Sequence, residues 1–140
     1  MRLLITTPTA VVVDDPDVAS VRAEDESGGF GVLAGHADLL TALALSIVHW
    51  RDAGGTPHYC AVRRGVLTVT NGDEVAIATR EAVADDDLDR LERVVLAEFH
   101  ERLDAERAAR TESLQLQMKA IRQILRYLRP ERREIMEGGL

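Results

Sequence analysis

Three small groups of residues in this chain have types and spacings suited to chemistry. The first is Gly29-Phe30-Gly31-Val32-Leu33-Ala34, which fits the G-x-G-x-x-G/A form of a dinucleotide-binding turn. Asp52 follows near the place of that motif's ribose-binding acid. The second is His58 and Cys60, spaced i, i+2 on one face of a strand, with His49 across a hairpin. These are three candidate zinc ligands without a fourth and without a C-x-x-C pair, so the expectation is a packed, buried Cys60. The third is His36, a ring suited to a base or a ligand, with no Ser, Cys or Asp partner at motif spacing. No catalytic residue, metal ligand or cofactor is assigned from these groups.

The elements around the glycines decide against the dinucleotide reading. That reading needs a strand ending at the first glycine, a helix starting inside the motif and a second parallel strand. Glu24-Asp25-Glu26-Ser27 precede the motif instead, an acidic run that repels a pyrophosphate. Residues 44–80 show hairpins, and only Ala37–Leu45 passes locally as helix.

The totals restrict the function classes further. An apolar share of 46% suffices for a core, while a formal charge of −7 argues against nucleic acid as a partner. Cys60 is alone, so no intramolecular disulfide forms. The apolar start MRLLITTPTAVVV is broken by Thr6, Thr7, Pro8 and Thr9, unlike a secretory leader. Leu39–Trp50 reaches about half the ~20 residues of a membrane span. A soluble chain that docks on a membrane complex is consistent with both.

Residues 1–84 read as β structure. Leu3–Thr7, Ala10–Val13 and Val18–Ala23 are short strand-prone runs between Pro- and Asp-rich breaks. Val66–Thr70 and Glu74–Thr79 alternate on either side of Asn71-Gly72, which supplies the positive φ values of a type I′ turn. HWRDAGGTPHYCAV reads as another hairpin with Gly54-Gly55 near its tip.

Residues 85–140 read as helix. Asp85-Asp86-Asp87 suit a helix N-terminus, and Leu88, Leu91, Val95, Phe99 and Leu103 recur at helical spacing. Leu114, Met118, Ile121, Leu125 and Leu128 form a heptad-like seam that Pro130 is expected to stop. Between the two stretches only Thr111 and Ser113 mark a break, so a hairpin and one continuous helix of about 45 residues both remain open. Residues 85–112 are mainly acidic and residues 114–133 mainly basic, which favours the hairpin. The expected fold is an N-terminal antiparallel β-sandwich followed by a C-terminal two-helix hairpin.

GGFGVLAGHADLLTAL resembles the loop of F-type ATP synthase epsilon subunits, where a small-residue turn leads into Gly-His and then Leu-Leu-Thr. RRGVLTVTNGDEVAIATREAV resembles that family's final β-hairpin before its helical domain. The resemblance implies a non-catalytic central-stalk subunit at the cytoplasmic face of the bacterial inner membrane. It implies a rotor-docking sandwich, a regulatory helical domain, and structural turns for the glycines of residues 28–35. Implied partners are the gamma subunit, the ring of membrane-embedded c subunits, and the catalytic alpha and beta subunits. Gly35, His36, Leu39, Leu40 and Thr41 match the ring-docking loop, whereas Ala34 and Asp38 stand where the family usually has proline.

The C-terminal helices are implied to act as a lever, extending so that Arg122, Arg126 and Arg129 meet acidic residues of the catalytic subunits. Some bacterial members of the family bind ATP through Ile/Leu-Asp-x-x-Arg-Ala and arginines on the second helix. Leu88-Asp89 match that motif, but Glu92-Arg93 replace Arg-Ala, placing an acid where phosphate charge needs neutralising. The corresponding nucleotide set, Asp89, Arg93, Arg122 and Arg126, is therefore the weaker reading, and ATP is not expected as a ligand. The competing function is a free-standing adaptor that docks through its helical hairpin.

Overall fold

The structure is a computed structural model that describes the backbone of residues 1–138 and the side chains of residues 1–128. Eight strands come first: β1 (Arg2–Thr6), β2 (Val11–Asp15), β3 (Val18–Asp25), β4 (Gly28–Leu33), β5 (Leu39–Ala42), β6 (Ser46–Asp52), β7 (Pro57–Thr70) and β8 (Glu74–Asp85). A helical turn α1 (Leu88–Arg90), a π-helical turn (Leu91–Val95) and the long helix α2 (Leu96–Gly138) follow. Internal contacts divide the chain into two compact units, Met1–His100 and Glu101–Leu140.

In the first unit the strand order is β2-β1-β8-β7-β6-β3-β4, with β5 also paired to β7. Strand β7 serves both layers of the sandwich. Its first half pairs with β6 (Ser46 opposite Val62), and its second half pairs with β5 (Ala42 opposite Val66). The change of partner falls at Arg63-Arg64-Gly65, where Arg64 takes φ of 59°. The Thr79 hydroxyl lies 2.8 Å from the Arg63 carbonyl and 3.0 Å from the Glu81 carbonyl, its one proton shared between them at the bend. Arg63 itself is buried and ion-paired with Glu81 at 3.1 Å.

The core lies between the layers. Leu3, Ile5, Leu67, Val69, Val75 and Ile77 face Val18, Val21, Val32, Val48, Cys60 and Val62 in one buried cluster. On the outward side of the second layer Leu91 and Phe99 bury against Ala61, with Leu45, Ile47, Tyr59 and Val95 around them. The helix start is thereby held on the sheet by burial of apolar surface, about 2–3 kcal/mol for each large side chain.

Three expectations are corrected. The sandwich is not wholly antiparallel, because β1 runs parallel to β8 (Arg2 opposite Glu74 through Thr6 opposite Ala78). The helical hairpin is absent: α2 passes through residues 111–113 without a turn. The reason is local. Nothing there breaks a helix, and the Thr111 hydroxyl, rather than capping a new helix, donates back to the Arg107 carbonyl at 2.9 Å. Pro130 does not end the run either. A proline lacks one backbone N–H, which removes a hydrogen bond from the ladder without forcing the following residues out of helix.

In the second unit Leu114, Met118, Ile121, Leu125 and Leu128 are all exposed, each by more than half of its surface. The heptad-like seam exists, but its apolar side chains have no partner among the described residues.

Candidate functional site

The two stretches singled out in the sequence meet at one end of the sandwich. Strand β4 ends at Leu33, the turn Ala34–Asp38 follows, and β5 returns from Leu39 along β7. Gly35 takes φ of 84° and its N–H donates to the Gly72 carbonyl at 2.8 Å. Asn71 and Gly72, at φ of 54° and 63°, form the β7–β8 turn. A Cβ built on Gly72 would lie 2.8 Å from the Gly35 Cα, so the two backbones are in direct contact. Glycine at 72 is required both by its left-handed φ and by that approach.

Asp38 completes the joint. Its carboxylate accepts the Asn71 N–H at 2.9 Å. Asp38 thus fixes one turn to the other. His36 is half-buried, its N–H bonded to the Leu33 carbonyl at 3.1 Å, and its Nδ1 donates to the Ala37 carbonyl at 2.6 Å. That ring nitrogen is spent on the turn. Thr41 donates to Asp25 at 2.8 Å, and the hydroxyls of Ser27 and Thr41 hold the Asp25 carboxyl below its usual range. Leu39 packs against the core, while Leu40 is 70% exposed.

Leu40 opens onto a wider surface. Strand register puts Leu40, Thr68, Ala76 and Leu4 in one row across β5, β7, β8 and β1. Ala42, Val66, Ala78 and Thr6 form the next row. Their neighbours along each strand, among them Leu67, Val75, Ile77, Leu3 and Ile5, are buried, so both rows face outward. Across these four strands the two rows contain no ionisable side chain; the first row continues onto Asp14 of β2, which pairs with Arg2 at the edge. On a chain with 29% charged residues, such a flat uncharged face is what a docking surface requires.

The other candidates separate in space. Gly29 and Gly31 lie inside β4, and Ala37–Leu45 contains β5 rather than a helix, so no phosphate cradle forms. Cys60 is fully buried and its thiol is pushed up to about 12 by burial. His49 faces the side of the sheet opposite to His58 and Cys60, so the three do not converge. Asp89 and Arg93 pair with each other at 2.6 Å. Arg122 and Arg126 are exposed one turn apart on α2, and the Arg129 side chain lies outside the described residues.

One cluster escaped sequence reasoning. His58 stacks on Trp50 and bridges two carboxylates, Asp52 through Nε2 and Asp86 through Nδ1, each at 3.0 Å. Asp86 directly precedes Asp87, the N-cap whose carboxylate accepts the Arg90 N–H. Hydrogen bonds first to Asp52 and then to Asp86 raise the imidazole above its ordinary value. The stabilisation is therefore complete below the unfolded value, near 6.5, and is lost as pH rises through the raised one. Thermal unfolding should show a stability loss over that interval in the native chain and a flatter profile in His58→Gln. The effect is expected to be small, because both carboxylates are partly exposed.

Residues 1–85 match the family described as ATP synthase, Delta/Epsilon chain, beta-sandwich domain. The chain belongs to the ATP synthase delta/epsilon family. It is 43% identical over 132 residues to ATP synthase epsilon chain 2 of Paraburkholderia xenovorans, covering 94% of this chain and 95% of that one. It is 44% identical over 128 residues to ATP synthase epsilon chain 2 of Cereibacter sphaeroides, covering 91% and 88%. Among solved structures, a chain of the Euglena gracilis mitochondrial ATP synthase OSCP/F1/c-ring assembly aligns with a TM-score of 0.58 at 27% identity. That alignment covers 76% of this chain and 62% of the Euglena chain.

Epsilon-family membership makes this a non-catalytic subunit. Among the described residues no helix is long and apolar enough to cross a membrane.

Proposed function

We propose that this epsilon-family chain is a rotor component that docks through its sandwich and couples rotation of the catalytic sector to ion translocation. The observation that carries this reading is the uncharged face of Leu40, Ala42, Val66, Thr68, Ala76, Ala78, Leu4 and Thr6. It meets the gamma subunit of the central stalk. The adjoining tip, Gly35, His36, Leu39, Leu40 and Thr41, meets the ring of c subunits at the cytoplasmic face of the bacterial inner membrane. Residues 1–84 are the docking domain and residues 85–140 the regulatory domain.

The regulatory role is supported by the exposed seam of Leu114, Met118, Ile121, Leu125 and Leu128. An amphipathic helix with its apolar stripe in water gains by packing that stripe elsewhere. In this reading the helix inserts beside the stalk, and Arg122, Arg126 and Arg129 oppose hydrolytic rotation by pairing with acidic residues of the alpha and beta subunits.

The test is ATP hydrolysis by the cognate catalytic sector lacking this subunit, titrated with the full chain and with a chain ending at His100, which keeps Leu91 and Phe99. Inhibition by the full chain alone is the expected result. Equal effects from both would confine the role to the sandwich. No effect from either, with no association, would overturn the rotor assignment and return the adaptor reading.

A further inference from the structure

The second sheet layer carries a basic cleft on its outward side. Pairing of β3 with β6 sets Ser20 opposite Arg51 and Arg22 opposite His49. Pairing of β6 with β7 sets His49 opposite Tyr59 and Arg51 opposite Pro57. All six residues line one cleft of about 250 Å³.

The cleft's charge is not neutralised from within. Arg2, Arg63, Arg90, Arg93 and Arg110 each reach a carboxylate. Among the described residues neither Arg22 nor Arg51 does. Arg51 donates only to the Gly55 carbonyl, at 3.0 Å. The His49 imidazole is held below its ordinary value by burial and then by the charge of Arg22, with Glu92 acting weakly the other way. On a chain of net charge −7, two guanidinium groups left without carboxylates around a concave site form a local field of the opposite sign.

We propose that this cleft binds a phosphate-class oxyanion, held by the guanidinium forks of Arg22 and Arg51 with the Ser20 and Tyr59 hydroxyls as neutral donors. Guanidinium groups match the spacing of phosphate oxygens and pair with them bidentately. The hydroxyls satisfy oxygens that the forks leave over. The volume admits inorganic phosphate, or the phosphate end of a nucleotide whose remainder lies outside the cleft. None of Asp89, Arg93, Arg122 and Arg126 lines the cleft, and the proposal does not depend on the rotor reading.

The test uses the full chain at low ionic strength in chloride buffer, titrated by calorimetry with inorganic phosphate and, in parallel, with AMP, ADP and ATP. Saturable phosphate binding is expected, weakened at least about tenfold in Arg22→Gln/Arg51→Gln and unchanged in Arg93→Gln. Both cleft arginines are exposed, so the double variant should keep the native melting temperature; His49→Gln provides a second, milder perturbation. Tighter binding of a nucleotide with the same dependence on Arg22 and Arg51 would identify the phosphate as part of a nucleotide. Equal or weaker nucleotide binding would identify free phosphate. Absence of saturable phosphate binding, or binding that the double variant leaves intact, would overturn the proposal.

Discussion

Val66→Asp is expected to weaken association of the chain with the stalk partner proposed for this face by about a hundredfold, with the fold retained. Val66 lies mid-strand in the uncharged face, opposite Ala42 on one side and Ala78 on the other, and is 42% exposed in the free chain. In the free chain the new carboxylate therefore stays hydrated and costs little. In the docked state it would be desolvated among Ala42, Ala78 and Thr6, with no cation in either row to receive it. Burying an unpaired charge at an interface costs about 3 kcal/mol or more, and 1.4 kcal/mol corresponds to a factor of ten. Gly31→Asp is the control on the other layer. It places the same charge on an exposed strand position opposite Arg22, where an added Cβ meets nothing closer than 3.9 Å. Binding of the labelled chain to the cognate catalytic sector should separate the two. Equal affinities for both variants would remove this face from the docking surface.

That face shows where sequence reading ends. Its members alternate with core residues in four strands, a pattern visible strand by strand. Only the register, Leu40 to Thr68 to Ala76 to Leu4, turns them into a surface, and register between distant strands is not written in local spacing. The hairpin at Asn71-Gly72 was legible because a two-residue signal and two alternating runs agree over a short loop. The parallel pairing of β1 with β8 was not, because its partners lie at opposite ends of the strand region. Strand β5 was hidden for the same reason: its partner Val66–Val69 is distant, and its own composition passes for helix.

The helical half shows local evidence overruling a long-range guess. Opposite charge on residues 85–112 and 114–133 favoured a folded hairpin, but a charge pattern contributes weakly and a turn needs a breaker. Residues 104–113 hold neither glycine nor proline, and Thr111 bonds inside the helix. Family resemblance singled out Gly35–Thr41, yet gave no hint that Asp38 bonds the Asn71 N–H. His58 was read as a possible metal ligand, while its actual partners, Asp52 and Asp86, come from a turn and from the approach to the helix.

Gly72→Ala is expected to be the most destabilising single-methyl change at the tip, and Gly35→Ala is the variant that shows why. Both positions have positive φ, 63° and 84°, so alanine at either is strained by about 1 kcal/mol. They differ in space. A Cβ at 35 meets nothing within 4 Å, whereas a Cβ at 72 lies 2.8 Å from the Gly35 Cα and 3.1 Å from its N and C atoms. Those are backbone atoms, held in place by the bond from the Gly35 N–H to the Gly72 carbonyl. Relief therefore requires the two turns to part, which adds about 1–3 kcal/mol of overpacking cost and breaks that bond. The total, about 2–4 kcal/mol, corresponds to a fall in Tm of roughly 10–25 °C for a unit of this size, against about 4–8 °C for Gly35→Ala. Amide exchange gives the local signature: Gly35 and Asn71 N–H groups should lose protection in Gly72→Ala beyond the loss in Gly35→Ala. Equal destabilisation by the two variants would mean that strain alone sets the cost. The turns would then not be in contact, and the tip would lack the joint that holds Leu40 in the uncharged face.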